Sequence, residues 1–161
     1  MSTASTAKIV LRPIEPSDLP HVLSKTRPAY AADRANADHI SLEEAAEFAE
    51  KQLTQILPRG AETPGHHFAW IVAVEPSERV GFVWYFADSQ RGEAFIYDLW
   101  IDEGRRRRGY ASAALSAIDD EVRQLGCERI GLNVFATNPG AAALYRKCGF
   151  QAVTQYMNKR L

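Results

Sequence analysis

The sequence predicts an α/β domain in which a mixed sheet carries helices on its faces. Two helix-like stretches come early in the chain, and three consecutive strand-like stretches occupy its middle. The third of these strands is followed by a helix-like stretch and another strand, so Ala94–Phe135 is a strand–helix–strand unit. Such a crossover joins parallel neighbours, whereas the short links between the middle strands join antiparallel ones. A mixed sheet follows.

Length and composition are those of one globular domain. The chain has 161 residues, which is enough to bury a core. Hydrophobic residues make up 46% and charged residues 24%, a balance that argues against disorder. The formal net charge of −1 supports neither nucleic-acid binding nor attraction to an acidic membrane. We expect one domain over residues 8–161 after a flexible tail at residues 1–7.

The cysteines and the N-terminus bear on the compartment. Cys127 and Cys148 form no C-x-x-C pair and have no histidine cluster beside them, so neither a metal site nor a disulfide framework is indicated. The first ten residues lack the apolar core of a signal peptide, and no stretch is apolar for long enough to span a bilayer. A cytoplasmic protein with reduced cysteines is predicted.

The N-terminal segment predicts a strand followed by a helix. Lys8–Ile14 alternates in the manner of a strand. Ser17 is expected to cap a helix over Asp18–Asn36. Pro28 lies inside that helix, and because proline removes a backbone donor the helix is expected to be broken or kinked there.

The remaining elements are assigned from capping residues and apolar periodicity. Ser41 begins the second helix with Glu44 at the capping-box position, and Pro58-Arg59-Gly60 ends it. The predicted strands that follow are His67–Val74, Arg79–Ala87, Ala94–Ile101, Arg129–Phe135 and a final strand or strand pair over Phe150–Leu161, and the predicted helices are Tyr110–Leu125 and Pro139–Lys147.

The loop between Ile101 and Tyr110 is the most informative segment. It contains four consecutive arginines, Arg105–Arg108, and it opens a helix directly after an apolar strand. Gly109 and Ala111 lack bulk, so a ligand can approach the first N–H groups of the helix, where the dipole favours an anion. Guanidinium groups can add bidentate contacts to phosphate. A pyrophosphate cradle is one interpretation; a solvated basic turn or an RNA-binding patch are the others.

Two motifs in this order resemble the GNAT N-acetyltransferases. The first is Arg106-x-x-Gly109-x-Ala111 after an apolar strand. The second is Asn138-x-x-Ala141-x-x-Leu144-Tyr145-x-Lys147-x-Gly149-Phe150, separated from the first by a helix and a strand. The resemblance extends over Lys8–Leu161 and is weakest in residues 29–65. It implies a mostly antiparallel, twisted sheet with helices on both faces and a splayed parallel strand pair that holds acetyl-CoA as co-substrate.

The resemblance also implies the cofactor contacts. The backbone N–H groups of six residues would bind the pyrophosphate, namely Arg106, Arg107, Arg108, Gly109, Tyr110 and Ala111. The pantetheine arm would pair with the backbone of Leu99 and Ile101 as an added strand. A bulge near this point would leave one N–H, that of Leu99, to polarise the acetyl carbonyl.

Catalytic roles follow from the same resemblance. Tyr145 corresponds to the tyrosine that protonates the departing CoA thiolate; the alternative is a packed aromatic residue beside Leu144. Asn138 would bind pantetheine or the strand end, and it could equally cap the helix that follows it. Both interpretations of Asn138 can hold together.

The general base is less sharply indicated. An amine must lose a proton before it can attack a thioester, and Asp98 in the central strand is the best candidate, with Glu93 and Glu103 behind it. Asp98 could equally be a paired structural carboxylate. The family often places a glutamate on or near this strand, where this chain has Tyr97. The adjacent histidines at 66 and 67 should point to opposite faces of a strand, which does not suit a metal pair.

The predicted reaction is direct transfer of acetyl from acetyl-CoA to an amine, carried by a small molecule or a peptide. Cys148 has no histidine partner to form a thiolate, so an acetyl-enzyme is not expected. A catalytically silent acyl-CoA sensor is the alternative from another class, and a nucleic-acid binder is a third that the net charge disfavours. The resemblance also allows a homodimer.

Overall fold

Five strands form one sheet whose order follows the chain, β1-β2-β3-β4-β5. The computed structural model describes residues 7–161. Neighbours from β1 to β4 are antiparallel, and β5 is parallel to β4. The predicted mixed sheet is thus confirmed, including the parallel pair. The strands are β1 Ile9–Pro13, β2 His66–Ala73, β3 Glu78–Asp88, β4 Glu93–Ile101 and β5 Arg129–Leu132.

Contacts divide the chain into two compact units. The sheet unit consists of the chain up to Glu15 together with Pro64–Asn133, and the helical unit consists of Pro16–Thr63 and Val134–Leu161. Apart from Ala7, the predicted tail at residues 1–7 lies outside the described residues. One domain over residues 8–161 stays a prediction.

In the sheet unit, helix α3, Tyr110–Gln124, packs against the strands. Its buried residues Ala114, Ile118 and Val122 recur every fourth position, which puts them on one face of the helix. Ala114 joins a core that includes Ile71 and Ile101 from the strands. This packing fixes the first turn of α3 beside the C-terminal end of β4.

The helical unit contains α1, Leu19–Asp38, α2, Leu42–Ile56, and α4, Pro139–Lys147. The predicted cap at Ser17 is wrong, because Pro16–Asp18 forms a 3₁₀ turn and Asp18 occupies the N-cap position of α1, without a capping hydrogen bond from its side chain. The capping box predicted at the start of α2 is confirmed. Ser41 Oγ accepts from the N–H of Glu44 at 3.1 Å, and the Glu44 carboxylate accepts from the N–H of Ser41 at 3.0 Å.

Of the break or kink predicted at Pro28, the break is wrong, since α1 continues through the proline. Contacts with α2 flank the proline on both sides. Arg27 pairs with Glu50 at 2.9 Å, and the Tyr30 hydroxyl donates to Gln52 at 2.7 Å. Packing against a neighbouring helix therefore compensates for the backbone hydrogen bond that proline cannot make.

The C-terminal strand prediction fails as well. Residues 150–161 have no regular secondary structure. Their polar side chains bond to the end of α1 instead, where Asn158 Nδ2 donates to the carbonyl of Ala37 at 2.9 Å and Arg160 to that of His39 at 3.3 Å. These carbonyls have no partner within the helix, so the segment satisfies them in place of a strand ladder.

Strand β5 is shorter than the predicted Arg129–Phe135, because it ends at Leu132. The carbonyl of Phe135 accepts from the N–H of Asn138 at 2.9 Å and so closes a turn. A turn at this point takes the backbone groups of residues 133–135 out of the ladder with β4.

Candidate functional site

Strand β4 carries a bulge at its centre. Asp98 is opposite Trp84 and Ile96 is opposite Tyr85, so Tyr97 is the additional residue. The bulge predicted near Leu99 lies two residues earlier, at Tyr97. Leu99 lies opposite Val83, and its partly buried side chain packs on the core beneath α3.

Beyond this bulge, β4 loses its neighbour on one side. Strand β5 pairs with β4 only over Glu93–Ile96. Among residues 7–161, no strand continues along that edge from Tyr97 to Ile101. The parallel pair therefore opens at the residues from which an added strand-like ligand would bind. The carbonyl of Ile101 is already bonded, since it accepts from Arg106 Nε at 2.9 Å.

The loop after β4 presents backbone donors. Glu103–Arg105 forms a 3₁₀ turn, and α3 begins at Tyr110. The first helical hydrogen bond runs from the N–H of Ala113 to the carbonyl of Gly109 at 3.0 Å. The N–H groups of Tyr110 and Ala111 therefore precede the ladder, and the helix dipole adds positive potential to them.

Two residues of this loop have left-handed backbone. Gly109 has φ +83° and Arg107 has φ +63°. Glycine adopts this conformation without steric cost, whereas arginine adopts it at a cost of order 1 kcal/mol. Strain of this kind is commonly found where a loop is shaped for a ligand. The N–H of Arg106 makes a long contact of 3.4 Å with the carbonyl of Glu103, so it is the least available donor of the predicted set.

The four arginines have separate roles. Arg105 pairs with Glu78 at 2.6 Å. The guanidinium of Arg106 lies 5.1 Å from the Trp100 ring centroid as well as bonding to β4. Arg107 and Arg108 are exposed and form no ion pair with any residue that the structure describes. Two guanidinium groups thus stabilise the loop, and the other two are exposed to solvent.

These features fit the pyrophosphate of acetyl-CoA. Unpaired N–H groups, a glycine at the helix start and two exposed guanidinium groups form the donor set that a diphosphate requires. The opened edge of β4 leads away from this donor set and fits an extended amide-containing arm.

The acidic candidates differ in environment. Asp98 is half-buried, beside the bulge. Glu93 is exposed and pairs with Arg129 at 2.8 Å, and Glu103 is exposed in the 3₁₀ turn. Of the three, Asp98 lies nearest along β4 to the point where the parallel pair opens.

Tyr145 and Asn138 belong to the helical unit, on α4. Asn138 Oδ1 accepts from the N–H of Ala141 at 3.0 Å, so its capping interpretation is confirmed. The half-buried Tyr145 packs edge-on against Phe150, with ring centroids 5.7 Å apart. The remaining predicted site residues lie on β4, the loop and α3, all in the sheet unit.

Sequence reasoning missed an aromatic cluster around the bulge. Tyr97 stacks on the buried Trp84 at 4.5 Å and contacts Phe95 edge-on at 4.9 Å and His66 at 5.5 Å. Tyr97 is nevertheless 39% exposed. Burial raises the pKa of Tyr97, so its phenol is neutral. The signal was present in the spacing, because aromatic residues alternate along Phe82–Phe86 of β3 and recur at Phe95 and Tyr97 of β4.

The histidine pair divides between the two faces, as expected from a strand. His66 contacts Trp84, while His67 stacks on Tyr85 at 5.0 Å. His66 Nδ1 accepts from Trp84 Nε1 at 3.0 Å. Burial, and then His67, lower the pKa of His66. A neutral His66 therefore carries its proton on Nε2 and is unsuited to accept another.

Within the described part of the chain, no group of three or more histidine, cysteine, aspartate or glutamate residues is arranged to hold a metal ion. No helix in residues 7–161 combines the length and apolarity needed to cross a bilayer.

A mixed sheet whose parallel pair opens beside the start of a helix is the architecture on which the comparisons with known proteins bear. The chain belongs to the acetyltransferase (GNAT) family, whose model matches residues 30–150. It is 36% identical over 155 residues to the uncharacterized N-acetyltransferase YycN of Bacillus subtilis, covering 95% of this chain and 99% of YycN. The crystal structure of YycN superposes with a TM-score of 0.87 over 96% of this chain and 99% of that one.

Two other relatives share parts of the sequence. The uncharacterized N-acetyltransferase YdgE of Bacillus subtilis is 38% identical over 120 residues, 73% of this chain and 76% of YdgE. The ribosomal protein bS18-alanine N-acetyltransferase of Escherichia coli is 34% identical over 62 residues, 38% of this chain and 42% of that protein. The family and these relatives support an acetyltransferase.

Proposed function

We propose that this protein transfers an acetyl group from acetyl-CoA to a primary amine by direct attack. The opening of β4 beyond Ile96, next to the start of α3, is the observation that carries the proposal. It provides a strand edge for an extended arm and a donor set for a diphosphate in one continuous segment. When bound, acetyl-CoA supplies a thioester whose carbonyl carbon accepts a nucleophile.

The chain would hold this co-substrate through its backbone. The N–H groups over Arg106–Ala111 bind the pyrophosphate, with Arg107 and Arg108 adding charge. Backbone groups of Leu99 and Ile101 align the pantetheine arm, and the N–H of Leu99 stabilises negative charge that develops on the carbonyl oxygen. The bulge at Tyr97 supports this role, because bulges re-aim backbone groups next to catalytic centres.

Asp98 is the proposed base, acting directly or through water. A primary amine with a pKa near that of lysine is deprotonated in only about one molecule in 10³ at neutral pH, so proton removal limits attack. Asp98 is preferred to Glu93 because it lies nearer to the point where β4 and β5 separate, and the hydrogen bond of His66 Nδ1 makes that imidazole a poor proton acceptor.

Tyr145 is the proposed general acid, and Asn138 is proposed to bind the pantetheine arm while it caps α4. The support is the motif in which both residues stand, together with the family match over residues 30–150. A phenol suits the task because it keeps its proton at neutral pH and can donate it to a thiolate.

The acceptor is proposed to be the amine of a small molecule or of a peptide. The relative from Escherichia coli is named for an alanine of a ribosomal protein, which is an amine of a polypeptide. The buried Cys127 and the half-buried Cys148 are free thiols. Free thiols fit the reducing cytoplasm, where the reaction is proposed to take place.

The first test is acetyl-CoA-dependent CoA release across a panel of amines, with Tyr145→Phe in parallel. This variant removes only the hydroxyl, so the dissociation constant for acetyl-CoA should stay unchanged while kcat falls by about 10²-fold. Tyr156→Phe, at an 83% exposed tyrosine, is the matched control and should behave as wild type.

Three outcomes would count against the proposal. A Tyr145→Phe variant with wild-type kcat would show that Tyr145 is not the general acid. Binding of acetyl-CoA without CoA release in the presence of any amine would favour a sensor. A protein that does not bind acetyl-CoA would refute the assignment of acetyl-CoA as the co-substrate.

A further inference from the structure

A groove lies beside the aromatic cluster on the sheet unit. It has a volume of about 370 Å³, and its apolar lining comes from Phe86, Phe95 and Ile130, with Gly131 among them. We call it the β4–β5 groove. Its charged lining consists of Asp88, Arg91, Glu93 and Arg129.

The groove is continuous with the opened edge of β4. Phe95 lines the groove and contacts Tyr97, the bulge residue, with ring centroids 4.9 Å apart. Two residues along a strand span about 7 Å. An amine whose nitrogen lies at the bulge can therefore extend the rest of its body over Phe95 without leaving this surface.

Gly131 leaves space in the groove. A Cβ built on Gly131 would meet only the Phe95 ring, at 3.8 Å, which is ordinary van der Waals contact. The backbone of Gly131 does not have the positive φ that would require glycine. Neither turn geometry nor close backbone approach accounts for the residue, and its effect is to leave the surface beside Phe95 open.

The charges in the groove are already balanced. Glu93 pairs with Arg129 at 2.8 Å. Asp88 Oδ1 accepts from the N–H groups of Gln90 at 3.0 Å and Arg91 at 3.2 Å. The two carboxylates are matched by the guanidinium groups of Arg91 and Arg129, so the lining has no net negative charge with which to attract a polyamine. One ammonium can instead lie over an aromatic ring before it loses its proton.

From the groove, its charge balance and its continuity with the bulge, we infer that the acceptor is a primary monoamine with an aromatic or branched apolar body. Phe95 and Tyr97 bind that body and set specificity. This inference rests on the proposed acetyl transfer and names its acceptor class.

The test compares acceptors of matched reactivity. CoA release is measured with 2-phenylethylamine and isoamylamine against ethanolamine and spermidine. The apolar monoamines should have kcat/KM at least tenfold above the other two, since burial of a few methylene or ring carbons provides this discrimination.

Substitutions then locate the groove. Phe95→Ala and Tyr97→Ala should each raise KM for 2-phenylethylamine about tenfold and change that for ethanolamine little. Gly131→Val fills the groove with a residue that favours strands, so the same KM should rise while stability is kept or increased. Tyr156→Ala, which removes an exposed tyrosine outside the sheet unit, is the control for loss of a ring.

Binding without turnover supplies a second measurement. Calorimetry with N,N-dimethyl-2-phenylethylamine, a tertiary amine, should detect binding to wild type and about tenfold weaker binding to Gly131→Val. Highest kcat/KM for spermidine, or a folded Gly131→Val with wild-type KM and binding, would overturn the inference while leaving acetyl transfer intact. Binding of acetyl-CoA with no CoA release in the presence of any amine would overturn the proposed function and the inference together.

Discussion

A single hydrogen bond determines how His66 behaves. The Trp84 side chain is buried, with 2% of the residue exposed, and its indole N–H requires an acceptor, which His66 Nδ1 provides. Burial then disfavours the imidazolium form, so the pKa of His66 lies below its ordinary value of 6.5. Both effects favour the same neutral tautomer, which holds the indole on which Tyr97 stacks.

The first prediction concerns this pair. His66→Ala leaves the buried indole N–H without its acceptor and should lower the free energy of unfolding by about 1–3 kcal/mol at pH 7.5. His66→Gln retains an acceptor and should recover part of that loss. Chemical denaturation of the three proteins measures both effects. Equal stability of His66→Ala and wild type would show that water replaces the imidazole without cost.

The same residues predict a pH dependence. Below about 6.5 the unfolded chain binds a proton at His66 that the folded chain does not yet bind. The contribution of neutral His66 to the free energy of unfolding is therefore complete above that pH. It is lost as the pH falls towards the lower pKa that His66 has in the folded chain. His67, whose pKa burial also lowers, contributes in the same direction. The slope below pH 6.5 should be smaller in His66→Gln, and an unchanged slope would contradict the assignment.

At the residue scale, the local interactions could be predicted and the bulge could not. The Ser41–Glu44 capping box needs only spacing within one helix end, and the structure contains it. Tyr97 acquires its position from the register between β3 and β4, which depends on pairings far apart in sequence. The aromatic alternation was visible in the sequence, but the extra residue that places Tyr97 at the bulge was not.

Among the strands, Gly81 permits the close approach of β3 to β4. It lies opposite Ile101, at the end of β4 that leads into the arginine loop. A Cβ on Gly81 would overlap the carbonyl oxygen of Trp100 and lie 3.0 Å from the Ile101 Cα. Both are backbone atoms, so neither can move aside without shifting the strand.

The prediction at this scale is that Gly81→Ala separates the strands. It should cost about 3 kcal/mol or more in the free energy of unfolding, because overpacking against backbone cannot be relieved by a rotamer change. Gly131→Ala adds the same methyl group where only ordinary contact exists, so it should be neutral or stabilising by up to about 1 kcal/mol. Thermal unfolding of both variants measures the difference, and equal stability would refute the close approach.

Element boundaries show which forces act beyond local sequence. Helix α3 and helix α4 follow their periodicity and caps, and both were predicted to within one residue. Helix α1 continues through Pro28 because contacts with α2 support it on both sides, which propensity does not reveal. Residues 150–161 have the composition of a strand, but a strand needs an edge to pair with, and this segment bonds to the end of α1 instead.

Over the whole molecule, net charge and local charge give opposite expectations for anion binding. A net charge of −1 predicts no general attraction for a polyanion. The four arginines of the loop reverse the sign locally, but Arg105 is neutralised by Glu78 and Arg106 bonds to β4. The attraction therefore depends on Arg107 and Arg108, which are exposed and screened by salt.

Salt should weaken the binding of acetyl-CoA through these two exposed arginines. The dissociation constant for acetyl-CoA should rise severalfold between 50 and 500 mM KCl, because exposed charges lose most of their interaction over this range. Arg107→Gln with Arg108→Gln should weaken binding about tenfold at low salt and flatten the salt dependence, since two charge-assisted contacts are removed. Arg59→Gln with Arg123→Gln changes the net charge equally, at exposed positions outside the loop. This control should leave the affinity for acetyl-CoA at low salt and its salt dependence unchanged. If this control weakened binding as much as the loop variant, the overall field of the protein would govern acetyl-CoA binding. A loop variant with wild-type affinity would leave the backbone N–H groups at the start of α3 as the whole of the pyrophosphate site.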